Sequence, residues 1–249
     1  MARSERLLTV DAEGSSILTH SADLAGESNG ERAYRVIRDA VIRGGLAPGV
    51  TVSEAQLAKN LGMSRTPVHQ AVARLQADGW VSIEPRSGVL IQPIQPNDLE
   101  DVYETLLALE GAAVERLARR ERTAGDPTDA MLMEACTACE EALDREDLKA
   151  WAERDNDLHS TFLSSCGNHH LLRAAGAVMD QSHRARLMTV DLRPWPSTSN
   201  EDHRRIVTAI IERQPEEARR ALEDHRRRGM ATLLPIVRAL SWGTPRFAG

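Results

Sequence analysis

Residues 53–75 constrain the fold most, because they predict two short helices joined by a tight turn. Ser53 and Gln56 have the spacing of a capping box, and Gly62 readily ends a helix in the left-handed conformation. Ser64 then predicts a second N-cap, with a proline in the first turn that follows it. Apolar residues of the second helix recur every three or four positions: Val68, Ala71, Val72 and Leu75. The pattern predicts a helix-turn-helix with one face of its second helix in a core.

The polar face of this second helix predicts contact with DNA. A helix-turn-helix presents the N-terminal end of its second helix to the major groove. Beyond it, residues 81–83 and 89–91 predict two short strands around a tight loop, a hairpin of the size of a wing with Arg86 at its tip. We therefore expect DNA contacts from Ser64, Arg65, Thr66, His69, Arg74, Arg86, Ser87 and Gly88.

The distribution of charge agrees with this expectation, although the formal net charge of the chain is −6. Residues 31–94 contain eight Lys and Arg against five Asp and Glu, a net charge of +3, whereas the segments on either side are net negative. Binding to phosphates requires such a basic block. The helix-turn-helix and its hairpin are thus the segment with the charge that DNA binding needs.

The same segment resembles the winged helix-turn-helix of GntR-family transcription regulators. The residues that carry the resemblance are 46–49, 57–58, 61–68, Leu75, 78–79 and 85–88. The resemblance implies a winged helix-turn-helix DNA-binding domain over residues 30–94, with double-stranded operator DNA as its partner. One departure concerns His69 and Gln70, which stand where the family usually has Arg and Glu, so a permanently charged DNA contact is lost there.

The rest of the chain predicts a mostly α protein. Residues 1–29 are rich in Ser, Gly, Glu and Asp without sustained periodicity, and we interpret them as a mobile tail. Pro93 and Pro96 predict a stiff joint and a domain boundary after residue 94. From residue 95 to 249, apolar stripes of helical period predict an all-helical bundle of about six helices. The aromatic content of 3% agrees with helical cores built from Leu, Ala, Val and Ile.

Four polar residues interrupt the apolar stripes of this bundle. Asp155 and His159 lie one turn apart on the inward face of the third helix, and His203 and His225 lie on the inward faces of the fifth and sixth. Three separate core histidines, each hydrogen-bonded locally, would be the simplest interpretation of any one of them. An unpaired carboxylate in a core is costly, however, and ligation of one divalent cation by all four residues is the other interpretation.

The second half of the chain also resembles the C-terminal domain of the FadR branch of GntR regulators, the FCD domain. The resemblance rests on residues 155–159, 167–168, Leu171, 199–203 and His225. It implies a divalent metal, zinc, nickel or manganese, held by Asp155, His159, His203 and His225, and a small carboxylate as effector. A bundle of six helices suits the VanR-like variant. The C-terminal domain, residues 95–249, would then bind the effector and form the dimer.

The chain departs from this family at the position of Leu106, where relatives often have an arginine that helps to hold the effector carboxylate. The effector-binding candidates that remain are Arg184 and Arg186, late in the fourth helix of the bundle. Cys136 and Cys139 have the spacing of a metal-binding pair, but no second pair exists, and we interpret them as core thiols.

These patterns together predict a cytoplasmic, homodimeric, ligand-responsive repressor that leaves its operator when a small organic acid binds. No run of eighteen apolar residues occurs, so we expect no membrane span. The alternative function is a metal-dependent enzyme that acts on a small acid, with the Asp and His residues as its catalytic centre. Against the enzyme, the sequence offers no general base beside the ligand set, so we expect no catalytic residues.

Overall fold

The computed structural model describes residues 26–240, which form two compact units. The first unit ends at Ile94 and the second begins at Gln95. Most of the tail predicted over residues 1–29 lies outside the described residues, as do residues 241–249. Within the described part, none of the helices has the length and apolar character needed to cross a membrane.

The first unit begins with helix α1, Asn29–Ile42, which starts four residues before Ala33, the first residue of its buried apolar face. A capping box explains the early start. The Ser28 hydroxyl accepts a hydrogen bond from the Glu31 backbone N–H at 3.2 Å, and the Glu31 carboxylate accepts one from the Ser28 backbone N–H at 3.0 Å. The end of the predicted tail is therefore the cap and the first residue of a helix.

The predicted helix-turn-helix is present as α2, Glu54–Leu61, and α3, Arg65–Ala77. The Ser53 hydroxyl caps α2, but the Gln56 side chain donates to Asn60 at 2.8 Å, so only half of the expected capping box forms. Gly62 ends α2 in the left-handed conformation. Ser64 occupies the N-cap position of α3 without a side-chain cap hydrogen bond. The four apolar residues predicted for the core side of α3 are buried: Val68, Ala71, Val72 and Leu75.

A three-stranded antiparallel sheet completes the first unit. Its strands are β1, Thr51–Val52, β2, Val81–Glu84, and β3, Gly88–Ile91, in the order β1-β3-β2. The predicted hairpin is β2 and β3, whereas sequence periodicity does not reveal β1, which has only two residues. Gly88 has φ 116°, and a Cβ atom there would lie 2.6 Å from the Val52 carbonyl oxygen, so β1 can approach β3 only beside a glycine.

The second unit is an all-helical bundle of the predicted size. Its helices are α4, Pro96–Arg119, α5, Thr128–Asp144, α6, Leu148–Ser165, α7, His169–Thr189, α8, Ser197–Ile211, and α9, Pro215–Ala239, with a short 3-10 helix at Val190–Leu192. Helix α4 packs against α6, α7, α8 and α9, and α6 also packs against α5 and α7. Residues on α4, α6, α8 and α9 can therefore meet inside the bundle.

Two helix boundaries are not where local sequence signals would place them. Ser199 is a residue type that often caps a helix, but α8 begins at Ser197. Glycine often follows the last residue of a helix, but α9 continues ten residues beyond Gly229. Gly229 instead lies where α9 packs on α4, because a Cβ there would be 3.5 Å from the Tyr103 ring. The small residue permits close helix packing and does not terminate the helix.

Candidate functional site

The four predicted metal ligands lie together inside the bundle. Helix α6 supplies Asp155 and His159, α8 supplies His203 and α9 supplies His225. One ligand atom from each residue can be chosen so that all four atoms lie within 4.8 Å of one another, and all four side chains are buried. The arrangement offers three nitrogen donors and one oxygen donor, a set that suits zinc, nickel or manganese.

Carboxylates outside the cluster lie beside Nδ1 of two of its imidazoles. His159 Nδ1 lies 3.2 Å from Glu110 Oε1, an ion contact without the alignment of a hydrogen bond, and His225 Nδ1 lies 3.5 Å from Asp202 Oδ2. A carboxylate beside Nδ1 favours the tautomer with the proton on Nδ1, which leaves the Nε2 lone pair for a metal. The Nε2 atoms of His159 and His225 are 3.2 Å apart. Two lone pairs that point at each other are stabilised when a cation lies between them.

Asp155 and His203 show the same need for a further partner. Asp155 Oδ1 lies 3.2 Å from His203 Nε2, and Asp155 Oδ2 lies 3.1 Å from Arg186 Nε. Neither pair has the alignment of a hydrogen bond, so both His203 ring nitrogens and Asp155 Oδ2 are buried without a hydrogen-bond partner. Buried polar atoms without partners are rare in native proteins. The donor set and these unsatisfied atoms therefore fit a bound divalent cation.

The protonation states also suit metal binding. Burial lowers the pKa of His159 to about 3 and that of His225 to about 4, so both imidazoles are neutral near pH 7. Burial alone would raise the pKa of Asp155, but the Arg186 guanidinium and His203 outweigh it and hold that pKa well below its ordinary value. Neutral imidazoles and an ionised carboxylate are the forms that bind metals.

Two ion pairs, one buried and one half-exposed, support the cluster from outside, and sequence analysis missed both. Arg226 donates two hydrogen bonds to Glu110, with Nη2 to Oε1 at 2.6 Å, and both side chains are buried. Arg228 likewise donates two hydrogen bonds to Asp202. The sequence did contain a sign that Glu110 has a partner. It lies one turn after Leu106 on the buried face of α4, and a carboxylate on such a face needs partners.

Two adjoining cavities lie beside the cluster. The smaller, about 30 Å³, is lined by Asp155, His225 and Arg186 among others, and the larger, about 400 Å³, by Trp151, Trp195, His225 and Arg228 among others. Of the predicted effector-binding residues, Arg186 lines the smaller cavity and ion-pairs with Asp155, whereas Arg184 lines neither cavity. Arg193, which sequence analysis did not select, lines both.

The expected DNA-contact residues lie in the first unit, on α3 and the hairpin. Ser64, Arg65, Thr66 and His69 are exposed at the start of α3, and His69 Nδ1 lies 3.0 Å from Glu54 Oε1. Arg86 and Ser87 are exposed at the tip of the hairpin, next to Gly88. Arg74 differs, because its guanidinium lies 3.9 Å above the Tyr34 ring and 4.0 Å from Asp78 Oδ2. This arginine already packs on α1.

The cysteines do not form a metal site in the described structure. Cys136, Cys139 and Cys166 are buried free thiols, as predicted for core residues. Burial raises the pKa of Cys136 to about 11 and raises that of Cys139 further, so neither is a thiolate at neutral pH.

Comparison with known proteins agrees with both units. Residues 29–91 match the family model described as bacterial regulatory proteins, gntR family, and residues 101–228 match the FCD domain. The chain is 42% identical over 147 residues to an HTH-type transcriptional regulator in the TAR-I ttuE-ttuC′ intergenic region of Agrobacterium vitis, a match that covers 57% of this chain and 86% of the relative.

A second relative and a solved structure cover more of the chain. The HTH-type transcriptional repressor GlaR of Escherichia coli K12 is 23% identical over 217 residues, which is 82% of this chain and 93% of GlaR. The structure of E. coli McbR/YncC has a TM-score of 0.72 at 18% identity and covers 86% of this chain and 98% of its own. This structural likeness concerns the fold alone.

Proposed function

Because the chain belongs to the gntR family of bacterial regulatory proteins and carries an FCD domain, it is a DNA-binding transcriptional regulator, and we propose that it is a repressor that a small organic acid releases from its operator. The observation that carries the proposal is the buried cluster of Asp155, His159, His203 and His225 beside a cavity of about 400 Å³. Residues 30–94 would bind the operator, and residues 95–249 would bind the effector and dimerise.

The cluster would hold one divalent cation through its four protein ligands. The bound cation would supply a Lewis-acidic position for an oxygen of the effector. Around it, Glu110 and Asp202 would hold the Nδ1 protons of His159 and His225, so that both Nε2 atoms face the cation. Arg186 would remain with Asp155 and add positive charge at the edge of the smaller cavity.

The metal assignment is tested by elemental analysis of the purified protein and of the variant His203→Ala. His203 is chosen because neither of its ring nitrogens has a hydrogen-bond partner, so its truncation removes a ligand without breaking a protein hydrogen bond. We expect one divalent cation per chain in the parent and much less in the variant. Equal metal content in the two proteins would contradict the assignment.

Sequence-specific DNA contact is assigned to Arg65, with further contacts from Ser64, Thr66 and His69 at the start of α3 and from Arg86, Ser87 and Gly88 at the hairpin. Arg65 is exposed in the first turn of α3, where a bidentate arginine–guanine contact contributes about 1–3 kcal/mol of discrimination. Arg74 would contact DNA only through the part of its guanidinium that Tyr34 leaves uncovered.

The test of this interface uses a duplex selected by the protein from random sequence. Arg65→Ala should weaken binding to the selected duplex far more than binding to random DNA, whereas Arg86→Ala should weaken both through a lost phosphate contact. Equal losses on both duplexes for Arg65→Ala would refute base recognition by this residue. Sedimentation of the complex measures whether two chains bind one duplex, as a homodimer on a palindrome requires.

Effector release follows if the acid binds one arrangement of the protein more tightly than the arrangement that binds DNA. A ligand that binds only native protein raises its stability by RT ln(1 + [L]/Kd), so a thermal-shift panel of carboxylic acids can find it. The stabilising acid should also release DNA and should lose its effect in His225→Ala or after chelation. Chemical turnover of the acid would instead favour a metal-dependent enzyme.

A further inference from the structure

The arginines around the cluster differ in how their charge is balanced. Arg186 lies 3.1 Å from Asp155, Arg226 is hydrogen-bonded to Glu110, and Arg228 to Asp202. Arg193 follows the short 3-10 helix, and within residues 26–240 it forms no ion pair. Its Nε has no hydrogen-bond partner, and its Nη2 donates only a long bond, 3.4 Å, to the Arg186 carbonyl. Within residues 26–240, the negative charge that acts on Arg193 is that of Asp155, which already contacts Arg186, so Arg193 is the one of these four arginines without a carboxylate of its own.

Arg193 lies in the walls of both cavities, together with Trp151, Ser199, His225 and Gly229. The smaller cavity, which also contains Asp155 in its wall, has a volume of about 30 Å³. Room of about 10–15 Å³ is enough for one water molecule, so the smaller cavity holds a group of a few atoms, such as a carboxylate, between Arg193 and the cluster. A ring must stay in the neighbouring cavity of about 400 Å³.

Rings form much of the wall of the larger cavity. Two indoles and two pyrrolidines line it, those of Trp151, Pro194, Trp195 and Pro196. Trp195 is 50% exposed, a large apolar surface at the mouth, and the Arg193 guanidinium lies 5.4 Å from the centroid of the Trp151 ring. The other charged residues there, Asp202 and Arg228, neutralise each other. The guanidinium of Arg193, the apolar rings and the hydroxyl groups of Thr198, Ser199 and Thr232 remain for a ligand.

We propose that the two cavities form one site for a monocarboxylic acid with an aromatic ring, in which Arg193 binds the carboxylate and the indole and pyrrolidine rings enclose the ligand ring. The inference rests on the proposed function and specifies the class of its effector. A second carboxylate on a short diacid would find no free cation in the wall of the larger cavity, because Arg228 is paired with Asp202, and only the hydroxyl groups of Thr198, Ser199 and Thr232 could donate to it. One guanidinium without a carboxylate of its own matches one negative charge, and 400 Å³ accommodates a substituted ring.

The experiment measures binding to the full-length, metal-loaded protein by calorimetry and by thermal shift. The probes are phenylacetate and 4-hydroxybenzoate, the uncharged isostere phenylacetamide, and succinate as the short diacid. We expect the aromatic acids to bind and to raise the melting temperature, and phenylacetamide and succinate to bind at least tenfold more weakly, because each lacks either the charge or the ring.

Variants locate the site. Arg193→Gln should weaken binding of the aromatic acid by about tenfold or more, since a charge-assisted hydrogen bond is lost, and Arg193→Lys should recover part of it. Arg145→Gln, at a surface arginine that is 61% exposed, is the matched control and should bind as the parent does. Metal content and far-UV circular dichroism of Arg193→Gln should equal those of the parent, which shows that the fold and cluster are intact.

Three outcomes would overturn the inference: no aromatic acid binds, succinate binds as tightly as phenylacetate, or Arg193→Gln binds the aromatic acid as the parent does. A non-aromatic acid that releases DNA through the cluster would leave the proposed function standing and refute only the ligand class. If wild-type protein showed no sequence-specific DNA binding, the proposed function would fail, whereas aromatic acid binding that depends on Arg193 would still support this site.

Discussion

Replacing Glu110 by Gln should lower both the stability of the protein and its affinity for metal, because Glu110 balances the charge of Arg226 and lies beside the metal ligand His159. Glu110 is fully buried, accepts two hydrogen bonds from Arg226 and lies 3.2 Å from His159 Nδ1. The variant leaves the Arg226 guanidinium buried without a counter-charge, and such a change costs about 3–5 kcal/mol of stability. It also removes the carboxylate that selects the His159 tautomer, which should lower metal affinity by about 10–100-fold.

A double variant tells these effects apart. In Glu110→Leu/Arg226→Met neither charge remains, and apolar replacements of a buried ion pair are often neutral or stabilising. We expect stability near that of the parent but metal affinity as low as that of Glu110→Gln, because His159 still lacks its carboxylate. Urea unfolding followed by circular dichroism in the presence of a chelator gives the stability, and competition with a chromophoric chelator gives the affinity.

Two results would refute this argument. If Glu110→Gln binds metal as tightly as the parent, the contact at 3.2 Å does not set the orientation of His159. If the double variant is as unstable as the single variant, the loss of stability comes from packing around α4 and not from an uncompensated charge.

Three further outcomes follow from the structure. The folded-state pKa values of His159 and His225 are lowered to about 3 and 4, so their contribution to the stability of metal-free protein should be complete above pH 6.5 and should decrease as the pH falls from 6.5 toward 3. Urea unfolding in chelator at several pH values measures this. A free energy of unfolding that increases as the pH falls would contradict it. Gly88→Ala should lower the melting temperature of the first unit, because its Cβ would lie 2.6 Å from the Val52 carbonyl oxygen. The control Gly176→Ala, whose Cβ would enter open space on α7, should not destabilise the protein. Equal melting temperatures for Gly88→Ala and the parent would mean that β1 moves aside. Cys136 should resist iodoacetamide in native protein at pH 8, since burial raises its pKa to about 11, and rapid alkylation seen by mass spectrometry would show that α5 opens.

Local sequence patterns predicted the elements and the inward direction of the cluster residues. Asp155 and His159 are one turn apart, and the apolar residues around them place both on the buried face of α6. The helix-turn-helix follows from caps, a glycine and a stripe of apolar residues, all of which act within a few positions of one another. Physical effects of such short range can be recognised in a single sequence.

The partners that orient the cluster could not be predicted in the same way. Arg226 is separated from Glu110 by 116 positions, and their pairing depends on how α9 packs on α4. Gly229 illustrates the same limit, because a glycine in a helix pattern predicts an end, whereas here it allows close packing against Tyr103. Arg193 lies in an irregular segment without periodicity, so its direction follows only from the tertiary structure.

Leu106 shows how the structure changes an expectation about the effector. The family resemblance places an arginine at this position as a carboxylate anchor, but Leu106 is fully buried on α4, one turn from Glu110, and lines neither cavity. We predict that Leu106→Arg will not tighten acid binding. It will lower stability by several kcal/mol, because it buries a second guanidinium one turn from Glu110, a carboxylate that Arg226 already uses. Leu106→Met, a volume-conserving change that costs less than about 1.5 kcal/mol, is the control in urea unfolding and in acid titration. Tighter acid binding by a stable Leu106→Arg protein would show instead that this face of α4 opens onto the effector site, and that Leu106 rather than Arg193 determines how the acid is held.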